Sequence, residues 1–242
     1  MALEVQKREP DLQVLDNLMA ATFWQRRQEI IGDEPLIAAI MDRWPALFSE
    51  RQIIAEFNRI VTKDLVETFL GGLDSYKHGL LQLYRVAVES GRKVALSQIM
   101  DCLQREDTNQ IRRAAALLGL PCYLSEDSSS IIRMLMVKPL MLSWLVWRWD
   151  CLSDTKVLFR MLSRLVFNVA VVVEEKIIVH NLKDVPTGFA MLLGAIYCLN
   201  LEYPKKMKYT FEFLQKAIMG IQAETCSARV HGLRNKLLRY HM

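Results

Sequence analysis

The sequence predicts a mainly α-helical protein of the α+β kind: a multi-helix array with a small antiparallel β element ahead of a C-terminal helical hairpin. Three observations carry that expectation. Apolar residues recur at three- and four-residue spacing through most of the chain. β-branched residues crowd into only two short segments, 168–173 and 177–179. Hydrophobic residues make up 52% and charged residues 24%, with 10 Gly and 7 Pro among 242 residues, which excludes collagen-like, low-complexity and disordered chains.

The first 120 residues read as a helical subdomain. Leu12, Leu15, Leu18, Met19 and Phe23 form one stripe, ended near the glycine and proline of 32–35. A short helix over 36–43 should stop before Pro45, because the residue preceding proline disfavours the helical region. Ser49 with Gln52 resembles a capping box opening the stripe Ile53, Ile54, Phe57, Ile60 and Val61. Asp64 caps Leu65, Phe69 and Leu73. Gly71-Gly72 then reads as a helix terminus, with Ser75 starting the stripe Leu80, Leu83, Tyr84, Ala87 and Val88. A helix over 94–103 follows. Asp107 with Gln110 offers a second capping box before Ile111, Ala114, Ala115 and Leu118, and Gly119 is placed to end that helix.

At Leu120 the texture changes to a proline, a short β-prone piece over 122–124 and a serine cluster, so 121–242 is read as a second, α+β subdomain. Segments 168–173 and 177–179 should pair as strands, although Glu174, Glu175 and Lys176 lack the glycine signal of a tight hairpin. After Asp184, Pro186 suits a first helical turn, and 189–201 is apolar on nearly every side and therefore buried. Gly194 in that helix implies close packing. Met207, Phe211, Leu214, Ile218 and Ile221 stripe the next helix, with Lys208, Glu212 and Lys216 at i,i+4 spacing on its other face. Val230, Leu233 and Leu237 mark a last, amphipathic helix.

Charge is divided unevenly. Residues 1–120 carry 15 basic and 17 acidic side chains, whereas 121–242 carry 16 and 10. Two knots supply the surplus: Lys205, Lys206 and Lys208, and Arg229, Arg234, Lys236 and Arg239. A solvated helix face accounts for either. The alternative is weak nucleic-acid binding, because aromatic residues interleave with these cations.

The charged N-terminus lacks the apolar core of a secretory signal, and five scattered cysteines suit a reducing compartment, so a cytoplasmic or nuclear setting is expected. Two apolar stretches raise the question of a membrane. Residues 131–149 are interrupted by Arg133, Lys138, Pro139 and Arg148, and 188–201 is shorter than the roughly 20 residues a span requires. Both read as core elements.

The search for chemistry finds little. There is no CxxC, HExxH, GxSxG or phosphate-binding glycine loop, and His78, His180, His231 and His241 are dispersed. Cys122, after a proline in an apolar piece, reads as structural. The adjacent acids Glu126-Asp127 and Glu174-Glu175 read as solvated turn residues. No catalytic residue, metal ligand or cofactor is assigned. The one aromatic cluster of interest is 145–149. In an extended chain Leu145, Trp147 and Trp149 share one face and Val146 and Arg148 the other. Core burial is the ordinary explanation. An exposed face would make Leu145, Trp147, Arg148 and Trp149 a partner-binding patch, since Trp and Arg are common interface anchors.

Three segments carry a family resemblance. VPTGFAMLLGAIYCLNLEYPKKMKYTFEFLQKAIMGI (185–221), GLPCYLSED (119–127) and RWPALFSERQIIAEFNRIVTKDLVETFLGGLDSY (43–76) resemble signatures of the sterile-alpha-motif-domain-containing protein three-like family of fish, in the family's order. The 42 residues ahead of Arg43 are too few for a sterile alpha motif itself, and 135–165 departs from the family's middle region. The resemblance implies no catalytic or binding residues. The resulting expectation is a non-enzymatic intracellular protein-interaction or scaffold module with unknown protein partners and no membrane association; an enzyme of unrecognised class is the remaining alternative.

Overall fold

The computed structural model of the chain describes residues 2–5, 7–128, 132–137, 142–147 and 167–240. Helices dominate it, as the apolar period requires. In order they are α1 (Ala2–Val5), α2 (Leu12–Ala21), α3 (Phe23–Asp33), α4 (Ile37–Arg43), α5 (Glu50–Val61), α6 (Leu65–Glu89), α7 (Ser97–Arg105), α8 (Asn109–Tyr123), α9 (Val185–Cys198), α10 (Lys208–Phe213) and α11 (Ala228–Leu238). Short polar side chains fix several starts by accepting a backbone N–H from the first turn. Ser49 does so from Gln52, Asp64 from Glu67, Asp184 from Thr187 and Ser227 from Val230.

Several local expectations are corrected. The first stripe is two helices, with Thr22 donating its hydroxyl to the Leu18 carbonyl at the break, and Leu12 is exposed. Gly71-Gly72 does not end a helix: α6 runs unbroken for 25 residues. Gly72 instead permits close approach, since a Cβ there would lie 2.0 Å from the Ile218 carbonyl oxygen. That oxygen belongs to a π-helical turn, Leu214–Ile218, continuing α10 and marked by a 2.9 Å bond from Met219 N–H to the Leu214 carbonyl. The cap of α8 is Thr108, not Asp107, which pairs with Arg112. Gly119 does not stop α8, and 122–124 is not extended: the helix continues through Pro121 to Tyr123. Gly119 makes room for Tyr84, whose Cε2 would stand 2.5 Å from a Cβ at that position.

The sheet has the order β1 (Ile132–Val137), β2 (Leu142–Trp147), β3 (Phe167–Val173) and β4 (Lys176–Leu182). The expected antiparallel pair is β3 with β4. β1 and β2 pair antiparallel, and β2 runs parallel to β3. Glu174 and Glu175 form the β3–β4 turn with φ of 47° and 63°, left-handed values that such two-residue turns demand and non-glycine residues resist. Glu174 compensates by accepting the Ile37 N–H at 2.9 Å, which pins the hairpin to the start of α4. The pair 174–175 is thus a structural fastener as well as a turn.

α9 is the central element. Every residue from Val185 to Cys198 is buried except Tyr197, which is half-buried, and the helix packs on α5, α6, α8 and β3. One apolar core joins Leu15 in α2 to Leu237 in α11. Gly194 lies in it as expected: a Cβ there would be 2.4 Å from Leu65 Cδ2. No helix among the described residues is long and apolar enough to cross a membrane.

Candidate functional site

Two surfaces stand out once the side chains are placed. The first begins with an inversion in α3. Its inner face holds Arg26, fully buried, and Ile30, whereas Trp24 on the outside is 81% exposed. A buried guanidinium survives only if its charge is matched and its donors are bonded. Arg26 meets both conditions. Nε and Nη2 donate to the two oxygens of buried Glu56 at 3.0 and 2.6 Å, Nη2 also to the Met19 carbonyl at 2.7 Å, and Nη1 to the Thr22 hydroxyl at 2.6 Å. Arg59 adds a bond to Glu56 at 2.9 Å. The next residue, Arg27, donates to the Cys198 and Tyr197 carbonyls and so closes the C-terminal end of α9. α3 is therefore fastened from beneath to α2, α5 and α9. Its outer face presents Trp24 and, seven residues on, Ile31 at 49% exposure.

The second surface is a groove of about 390 Å³ between α6 and α11. Leu83, Val86, Ala87, Tyr123 and Tyr240 line it together with Arg92, Lys93, Lys236 and Arg239. Gly91, with φ of 68°, turns the chain back at the end of α6, and the N–H groups of Arg92 and Lys93 both bond the Ala87 carbonyl. That turn sets the two cations beside the last turn of α11, which carries Lys236 and is followed by Arg239. Lys93 also donates to the Ser125 hydroxyl, and Lys236 stands 5.9 Å from the centre of the Tyr123 ring.

The basic residues singled out from sequence are thereby sorted. Lys236 and Arg239 come together in the groove. Arg229 reaches the Leu124 carbonyl and lies 4.8 Å over the Tyr209 ring, and Arg234 donates to the Ala223 carbonyl at 2.9 Å. Lys206 pairs with Asp127 at 3.3 Å, while Lys205 and Lys208 are exposed outside the groove lining. Glu126, read as a solvated turn acid, accepts the Tyr209 and Thr210 N–H groups at 2.6 and 2.8 Å and holds the start of α10. Leu145 and Trp147 lie on β2, opposite Val169 and Val171 of β3. Arg148 and Trp149 lie outside the described residues.

Trp24, Arg92 and Lys93 escaped the sequence reading. The signal for Trp24 was present as its seven-residue spacing to Ile31, but nothing local shows that Arg26, two residues on, turns inward to Glu56. Nothing local joins Arg92 and Lys93 to Lys236. Among the described residues no group of three or more His, Cys, Asp or Glu could hold a metal ion. Among the described residues Cys102, Cys122, Cys198 and Cys226 form no disulfide, and burial pushes the Cys198 thiol far above its usual range.

A helical array carrying a small sheet is the class this fold defines, and a family model of the helical domain of sterile alpha motif domain-containing protein 3 matches residues 1–49, α1 to α4 and the turn after them. The chain is also 24% identical over 221 residues to human sterile alpha motif domain-containing protein 3, an alignment covering 91% of this chain. Both similarities agree with the resemblance to a sterile alpha motif domain-containing protein 3-like family carried by 43–76, 119–127 and 185–221. The chain spans 40% of that relative's length. No solved structure matches it.

Proposed function

We propose that this chain is a non-enzymatic protein-interaction module that works in the cytoplasm or nucleus, and that the outer face of α3 is its contact surface. The observation that carries the reading is the inversion of α3. A tryptophan 81% exposed stands on a helix whose opposite face is locked by a fully buried arginine–glutamate pair. A rigid helix displaying an unburied Trp with Ile31 supplies the kind of anchor that dominates protein interfaces, because little conformational entropy is lost on docking. Cysteines that form no disulfide among the described residues suit a reducing compartment.

Trp24→Ser tests the reading directly. Trp24 is largely in solvent, so unfolding stability should change by no more than about 0.5 kcal/mol. Proteins captured by the wild-type chain from a native cell extract, identified by mass spectrometry, should be lost or strongly depleted with the variant. Retention of every partner by a folded Trp24→Ser chain would remove α3 as the contact surface. The segment carrying Leu145, Trp147, Arg148 and Trp149 is a second proposed contact.

A further inference from the structure

We propose that the groove between α6 and α11 binds a small, multiply phosphorylated anion. Four cations from two distant stretches of chain, Arg92 and Lys93 with Lys236 and Arg239, converge on one concavity of about 390 Å³. No Asp or Glu lines it, and none of the four makes an ion pair among the described residues. Several cations elsewhere on this surface are matched: Arg51 with Asp16, Arg112 with Asp107, Arg113 with Asp74, and Lys206 with Asp127. Repulsion among four like charges in one groove costs stability that an anion would recover.

Helix ends account for part of this arrangement. The C-terminal ends of α6 and α11 carry partial negative charge and favour cations nearby. That preference explains positive charge at each end, but not four unmatched cations around a single hollow walled by Leu83, Val86, Ala87, Tyr123 and Tyr240. Such walls lower the local dielectric and strengthen the attraction for an anion. The mixture of side chains selects the ligand. Arginine forks grip two phosphate oxygens at once, and lysine adds a mobile point charge. Two or more phosphate groups are needed to match four cations.

Size and layout argue for a compact ligand and against a nucleic-acid strand. A strand needs a continuous basic track. Arg229 and Arg234 are turned to backbone carbonyls and Lys206 to Asp127, which interrupts any track leading from the groove to Lys205 and Lys208. The ligand chemistry, clustered phosphate monoesters, is shared by a soluble inositol phosphate and by a phosphoinositide headgroup in a membrane.

The test uses the full chain and three probes: inositol trisphosphate, phosphatidylcholine vesicles with and without phosphatidylinositol bisphosphate, and a single-stranded oligonucleotide. Saturable binding of inositol trisphosphate by calorimetry is expected. It should weaken about tenfold for each cation removed in Lys93→Gln, Arg239→Gln and Lys236→Gln. The triple variant Lys205→Gln, Lys206→Gln, Lys208→Gln, outside the groove, should bind as the wild type does. Binding confined to the phosphoinositide vesicles, with the same dependence on groove residues, also supports the proposal and assigns the lipid as the source. Three results would overturn it: no binding to either phosphate probe, equal weakening by groove and non-groove variants, or preference for the oligonucleotide. Far-ultraviolet circular dichroism and a thermal melt on each variant keep folding separate from binding.

Discussion

Arg26 and Arg239 carry the same guanidinium and meet opposite surroundings. Arg26 is fully buried, and its bonds to Glu56, Met19 and Thr22 weld α3 to α2 and α5. Arg239 is exposed at the edge of the groove with three other cations and no acid among the lining residues. The difference teaches that charge in this protein serves two ends according to desolvation. Where water is excluded, a charge must be matched in full and then enforces one geometry. Where water reaches it, a charge can stay unmatched at modest cost and remain available to a ligand.

Removing one partner of the buried pair should have the largest effect. Glu56→Ala leaves the Arg26 guanidinium buried and unmatched, and a loss of about 3–5 kcal/mol in urea unfolding is expected. Arg239→Gln should stay within about 0.5 kcal/mol of wild type. Comparable losses for the two would break the contrast between buried and exposed charge.

A smaller effect separates backbone from side-chain neighbours at two glycines. Gly72→Ala drives a Cβ against the Ile218 carbonyl, a fixed backbone atom in the π-helical turn, and should cost about 3 kcal/mol despite alanine's better helix propensity. At Gly194 the nearest atoms are the ends of Leu65 and Ile53, which can shift, so even the larger Gly194→Leu should cost about 1–3 kcal/mol. An unchanged denaturation midpoint for Gly72→Ala would show that α6 does not approach the turn so closely.

The smallest effect concerns Asp74, intermediate between the two extremes with 35% of its side chain exposed. Hydrogen bonds from the Arg113 guanidinium, helped by Lys77, hold its carboxyl down to about 2. A depressed carboxylate contributes stability above its unfolded value and loses it as pH falls through the folded one. Wild type should therefore exceed Asp74→Asn by about 1 kcal/mol at neutral pH, reduced by solvent screening, and the gap should close from about pH 4 down to about pH 2. Thermal melts at stepped pH measure it. A gap that persists at the acidic end would mean that Asp74 acts through packing and not through charge.

The sequence by itself determined the helical character, the starts at Ser49, Asp64 and Asp184, the pairing of 168–173 with 177–179 and the burial of α9. These are legible because helical period, capping and strand composition are settled within a few residues of chain. Tertiary structure decided the rest. It placed Gly72 inside α6 and Gly119 inside α8, because the atoms that exclude a side chain there belong to Ile218 and Tyr84, far away in sequence. It turned Arg26 inward and Trp24 outward, because the matching carboxylate stands 30 residues on, at Glu56. It gathered Arg92 and Lys93 with Lys236 and Arg239, residues assigned by sequence to opposite halves of the chain. In each case the deciding partner is distant along the chain, and local patterning carries no information about which distant residue will arrive.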